Sequence, residues 1–168
     1  MTIPIPEPSL VLLIGPSGSG KSTFARRHFR AFEVLSSDFC RALVSDDEND
    51  QTATNDAFEL LHLILAKRLA RRRTTVIDAT SVLPSSRASL LALAKQWSLP
   101  AVAVVFQLPE VVCQRRNLER LNRQVPGEVI QKQIALLAES SGHLETEGFS
   151  AVYRLSSEAE AESASLLR

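Results

Sequence analysis

The chain is poor in cysteine and has no excess charge of either sign. Cys40 and Cys113 are its only cysteines and stand far apart, and His28, His62 and His143 are scattered. Neither set has metal-ligand spacing, which argues against a structural zinc site. Two isolated thiols point to a reducing compartment, so a cytoplasmic location is the expectation. Apolar runs fall short of the roughly 20 residues that span a bilayer. The start, Met1-Thr2-Ile3-Pro4-Ile5-Pro6, has no signal-peptide pattern. No membrane partner is expected. Nineteen Lys and Arg residues balance nineteen Asp and Glu residues, which argues against a broad basic surface and for a local cleft. Asn-Lys-x-Asp and Asp-x-x-Gly are both missing, so the marks of a GTPase switch protein are absent. At 168 residues the chain suits one domain and is short for an ATPase motor.

What the chain does carry is Gly15-Pro16-Ser17-Gly18-Ser19-Gly20-Lys21-Ser22, a fit to G-x-x-x-x-G-K-[ST] at every fixed position. The apolar run Leu10–Ile14 precedes it and a helix-compatible run from Thr23 follows, the strand–loop–helix setting of a phosphate-binding loop. Its glycines let successive N–H groups turn inward around a phosphate, and the helix start adds partial positive charge. Lys21 is expected to reach the β- and γ-phosphates of a nucleotide and Ser22 to offer its hydroxyl to Mg²⁺. Gly15, Ser17, Gly18, Ser19, Gly20, Lys21, Ser22 and Thr23 are therefore the candidate ATP-binding residues.

The rest of the chain alternates strands and helices. Residues 1–8 read as a proline-rich extended segment. Strands are predicted near 9–14, 33–36, 74–78, 101–106 and 151–155, with helices after the loop, from Ser37, over 57–69, and from Pro84, Pro109 and Pro126. That pattern predicts an α/β fold of the P-loop kinase type: a parallel five-stranded sheet, helices on both faces and an arginine-bearing lid helix. Residues 1–155 are expected to form the kinase domain, and 156–168, rich in Ser, Ala and Glu, a mobile tail or linker.

Few residues outside the loop are candidates for chemistry. Asp38 follows the second predicted strand, where parallel sheets bind ligands. It reads either as a helix cap or as the carboxylate that accepts a proton from an attacking hydroxyl. Arg41 lies one helical turn further on and reads as a solvated arginine or as a ligand for a phosphate on the acceptor. Asp78 ends the third strand, as a turn acid or as a holder of the Mg²⁺ shell. Arg116, Arg120 and Arg123 are spaced four and three apart, as on one helix face, and fit either a lid over the donor or a basic outer surface. Lys21, Asp38, Arg116 and Arg120 are the candidate catalytic residues. The run 71–73 reads as a helix C-terminus, where cations suit the dipole.

On Gly15–Thr23, Ser36-Ser37-Asp38-Phe39-Cys40-Arg41, Ser45–Gln51, Asp78-Ala79-Thr80, the stretch Cys113–Arg123 and Glu147-Gly148-Phe149, the chain resembles the kinase module of bacterial polynucleotide kinase-phosphatases, the RNA-repair enzymes. The resemblance implies phosphorylation of a 5′-OH end of RNA or DNA by ATP with Mg²⁺. It implies Asp38 as general base, Arg41 at the acceptor phosphate, Arg116 and Arg120 over the ATP phosphates, and Arg123 with them. It also implies phosphatase and adenylyltransferase domains as partners in a larger polypeptide. Ser81 departs from the family pattern, which has Asn there. The same residues are compatible with two rivals: a P-loop kinase of a small metabolite or nucleotide, and a non-catalytic ATP-binding regulatory module.

Overall fold

Every side chain of Leu10–Ile14 is fully buried, as in a strand covered on both faces. The computed structural model describes all residues, Met1–Arg168. In chain order the strands are β1 (Thr2–Pro4), β2 (Leu10–Ile14), β3 (Val34–Ser36), β4 (Thr75–Asp78), β5 (Ala101–Phe106), β6 (Ala151–Leu155) and β7 (Ser165–Leu167). The α-helices are α1 (Lys21–His28), α2 (Ser37–Ser45), α3 (Thr54–Ala70), α4 (Pro84–Gln96), α5 (Glu110–Leu118), α6 (Gly127–Ser140) and α7 (Glu158–Ser163).

Five strands form one parallel sheet in the order β3-β4-β2-β5-β6. Side-chain alternation assigns each strand residue to a face. Leu10, Leu12 and Ile14 pack with Leu61, Leu65 and Leu69 of α3 and with Leu90 of α4. Val11 and Leu13 pack on the opposite face with Phe24, Val112 and Ile130. Each such fully buried side chain contributes roughly 1.5–3 kcal/mol, so β2 is held at the sheet's centre from both sides. The fold is the predicted α/β arrangement.

Register then positions the site. Asp78 pairs with Leu13 on one side and with Ser36 on the other, and Ile14 pairs with Val105. The ends of β2, β3 and β4 are therefore level. Gly15, Ser37 and Asp78 emerge at one edge, the carboxyl edge where open α/β sheets hold ligands.

Two sequence expectations are corrected. Residues 156–168 are folded, not a mobile tail. Ser157 caps α7 by accepting from the Glu160 N–H at 3.2 Å, and β7 pairs in parallel with β1. Ala164 is buried, and Arg168 reaches Glu33 at 2.5 Å. Second, α5 ends at Leu118, so Arg120 and Arg123 lie on the following loop and not on one helix face with Arg116. Side chains stop the helix. Buried Asn117 exchanges two hydrogen bonds with the Val125 backbone, at 2.8 and 3.0 Å. Gln124 donates to the Leu118 and Arg120 carbonyls at 2.9 and 3.2 Å, satisfying acceptors that another helical turn would have used.

Candidate active site

The phosphate-binding loop is held from behind by its neighbours. The Thr80 carbonyl accepts from the Gly15 N–H at 2.9 Å, and Gln133 of α6 accepts from the Ser17 N–H at 2.8 Å. Gly18 and Gly20 have φ of 79° and 97°, a region that favours glycine. A Cβ on Gly18 would lie 2.2 Å from the Cys113 carbonyl oxygen, and one on Gly20 would lie 2.9 Å from Arg116 Nη1. The loop is thus pressed against α5, with the Arg116 guanidinium directly beside it.

Lys21 opens α1 and is buried. Its Nζ donates to the Gly15 and Pro16 carbonyls, both at 2.8 Å, and stands 3.4 Å from Ser19 Oγ. Burial pulls the Lys21 pKa down to about 8, opposed most by the charge of Asp78. Nearby Arg120 adds to the depression. The group is a cation short of anionic partners, which is the state a phosphate would relieve.

A cavity of about 1250 Å³ joins this loop to α2 and to the 119–123 loop, and Ser22, Thr23, Asp38, Arg41, Asp78 and Arg123 all line it. Arg116 and Arg120 line it too. Ser36, not Asp38, caps α2, accepting from the Phe39 N–H at 3.3 Å. The Asp38 carboxylate is left for the cavity, where Oδ1 accepts from Arg41 Nη1 at 2.9 Å and from Arg123 Nη1. Arg41 is 4% exposed, also donates to the Glu48 carbonyl at 3.1 Å, and keeps a buried Nε with no partner.

The acidic run is structural. Asp46 ends α2 with φ of 59°, Asp47 accepts from the Asn49 N–H at 2.9 Å, and Asp50 accepts from the Thr52 N–H at 2.9 Å. These turns bring the Glu48 carbonyl onto Arg41. Ser81, in the position where the resembled family has Asn, has φ of 48°, a conformation Asn adopts more readily than Ser.

Of the expected site residues, all but Gly15 and Ser19 line this one cavity, with one shift of partner. Arg123, expected with the donor phosphates, pairs with Asp38 instead. Gln133, Asn117 and the Glu48 carbonyl were not anticipated. Gln133 and Asn117 act through contacts that no local motif encodes, and Glu48 acts through its backbone.

The AAA domain family, AAA_33, matches residues 10–140. The chain belongs to this family. None of the curated proteins matches it in sequence. Among solved structures, a chain of the Pnkp1/Rnl/Hen1 RNA repair complex is similar with a TM-score of 0.69 and 23% identity, covering 82% of this chain and 46% of that one. The chain thus spans less than half the length of that relative. A gluconokinase from Sinorhizobium meliloti 1021 has a TM-score of 0.55 and 20% identity, covering 92% of this chain and 89% of that one. The shikimate kinase from Acinetobacter baumannii in complex with shikimate has a TM-score of 0.57 and 20% identity, over 92% and 88%. The fold of this AAA domain is a P-loop kinase fold, which implies ATP binding, usually with Mg²⁺.

The residues present fit both. Gly18 and Gly20 give the loop the positive φ angles that turn its backbone around a phosphate, and Lys21 Nζ rests on two backbone carbonyls with no carboxylate in direct contact. No three His, Cys, Asp or Glu side chains gather into a metal cluster. Mg²⁺ carried by nucleotide phosphates needs only one or two protein oxygens, and the Ser22 hydroxyl and the Asp78 carboxylate both line the cavity. No helix is long and apolar enough to cross a membrane.

Proposed function

We propose that this AAA domain is an ATP-dependent polynucleotide 5′-hydroxyl kinase that transfers the γ-phosphate of ATP to the 5′-OH end of RNA or DNA in nucleic-acid repair. The observation that carries the reading is Asp38, a carboxylate flanked by Arg41 and Arg123 in the cavity that also holds the phosphate-binding loop. A base beside two cations suits an acceptor that brings a hydroxyl and an anion together, as a terminal nucleotide does with its 5′-OH and 3′-phosphodiester. The unpartnered Arg41 Nε supplies one more donor for that anion. Phe39, next to Asp38 and 63% exposed on the cavity wall, offers a face on which a nucleobase can stack. Similarity to a chain of an RNA repair complex supports the choice of acceptor.

In this reading the acceptor's phosphate draws Arg41 and Arg123 away from Asp38. The freed carboxylate accepts the hydroxyl proton while the 5′-oxygen bonds to the γ-phosphorus and the bond to the ADP oxygen breaks. Lys21, Arg116 and Arg120 face the charge that develops on the transferring group. Ser22 and Asp78 would hold Mg²⁺, which when bound would neutralise charge on the phosphates. The groups named address phosphate and sugar, so base specificity is weak. Phosphatase and adenylyltransferase domains of a larger polypeptide are the proposed partners, and the cytoplasm the proposed location.

A second reading has its own support. The gluconokinase and shikimate kinase structures cover this chain at nearly their full length, and Arg41 with Arg123 can equally receive a carboxylate. Incubation with γ-labelled ATP and Mg²⁺ separates the two. Label on a 5′-OH oligonucleotide, with none on its 5′-phosphorylated twin, supports the polynucleotide kinase. Label only on small hydroxy acids such as gluconate or shikimate replaces it. ATP binding without label on any acceptor favours a regulatory module.

A further inference from the structure

We infer that Glu158 and Glu162 of the terminal helix are positioning residues that aim Arg116 at the transferring phosphate. The inference rests on the reading above, in which Arg116 faces the phosphates. One side of the Arg116 guanidinium is held by carboxylates: Nη2 lies 3.0 Å from Glu158 Oε1 and 3.5 Å from Glu162 Oε1. The other side, Nη1, stands 2.9 Å from the point where Gly20 would carry a Cβ. A guanidinium is planar and rigid, so fixing one edge sets the direction of the other.

The holder is itself held. Glu158 Oε1 also takes Arg115 Nη2 at 2.5 Å, and this contact draws its carboxyl below the usual range. Arg27 of α1 donates to the Glu162 carbonyl. Beyond α7, β7 is paired to β1 and Arg168 to Glu33. Ala161 and Glu162 form part of the cavity wall. The terminal segment is therefore a strap tied first to α5 and α1, the helices beside the phosphate-binding loop, and then to β1 and Glu33.

Two carboxylates beside a polyanion site do not favour nucleotide binding as such; by Coulomb's law they oppose it. What they provide is a fixed direction for Arg116, and orientation acts on the transition state more than on the ground state. Loss of the acids leaves Arg116 cationic but free to turn. Its attraction for a nucleotide persists while its aim is lost.

The test uses the whole chain and calorimetric binding of Mg–ADP and of Mg–ADP–tetrafluoroaluminate, a mimic of the transferring phosphoryl group that needs no acceptor. E158Q/E162Q is expected to weaken the tetrafluoroaluminate complex about tenfold and to change Mg–ADP affinity by no more than about twofold. In an Arg116→Gln background the same pair should change neither, and Glu158→Asp with Glu162 intact should keep most of the parent's affinity for the mimic. Equal weakening of both complexes, or a loss that persists without Arg116, means a merely structural strap and overturns the inference. Tighter Mg–ADP with an undiminished mimic complex means the acids only compete with nucleotide, and overturns it too. The two readings fail separately. A parent that shows this binding pattern but labels no oligonucleotide loses the polynucleotide acceptor and keeps the strap; a parent that labels oligonucleotide without the pattern does the reverse.

Discussion

On the β2–α1 side of the cavity the backbone makes the site; on the α2 side, long side chains make it. The phosphate-binding loop is defined by two positive φ angles and by amides held by Thr80 and Gln133. The proposed acceptor side is defined by Asp38, Arg41 and Arg123, which come from two elements 85 positions apart in sequence and meet at one carboxylate oxygen. Backbone geometry is set once by local residue type. Side-chain clusters depend on how distant elements pack. The first kind of site is rigid before any ligand arrives, and the second can trade partners when one does.

If the two sides are separable, changes on each should move different measurements. Gly18→Ala strikes the backbone side, adding a Cβ 2.2 Å from a carbonyl oxygen at φ of 79°. It should weaken Mg–ATP binding by about a hundredfold, equivalent to roughly 3 kcal/mol, as read by calorimetry. Arg41→Ala strikes the other side. It should lower kcat/KM for the acceptor roughly thirtyfold with Mg–ATP affinity unchanged; a parallel loss of both would merge the two sides.

Lys21 allows a subtler test. Its pKa is depressed to about 8, so between about 8 and its ordinary value the unfolded chain binds more protons than the folded one. The burial penalty on the ammonium is full below about pH 8 and is relieved as pH rises through that window, so ligand-free stability gains there. Phosphates should restore the proton. Calorimetry at pH 8.5 in buffers of different ionisation enthalpy should show uptake of roughly half a proton or more per nucleotide. Uptake should fade at pH 7 and vanish in Lys21→Met. The smallest effect belongs to Ser81→Asn, which should raise the melting temperature by about 1–2 °C by easing the left-handed backbone at that position.

The same contrast explains what the sequence made legible. The loop motif and the five strands of the central sheet could be read because each is a local pattern: fixed glycine positions in one case, short apolar or β-branched runs in the other, unbroken in β2 and β5. Asp38 and Arg41 were readable through their place after β3 and their spacing. The reach of α5 was not. Arginines at 116, 120 and 123 keep helical periodicity, while the stop signal lies in the side chains of Asn117 and Gln124 folding back. The terminal segment was misread for a related reason. Its Ser, Ala and Glu composition is that of a linker, but Glu158 finds Arg115 and Arg116 some forty positions away, and β7 finds β1 at the other end of the chain. Arg123 fell between the two cases: its place in the cavity was anticipated, its pairing with Asp38 was not.

The most direct measurement sets parent and Asp38→Ala side by side, in single-turnover transfer from γ-labelled ATP to a 5′-OH oligonucleotide and in Mg–ATP binding. Removal of the base alone should slow transfer by about 10³-fold and leave nucleotide affinity within about twofold. Transfer that survives the substitution, or nucleotide binding that collapses with it, would contradict an Asp38 base acting on its own side of a divided cavity.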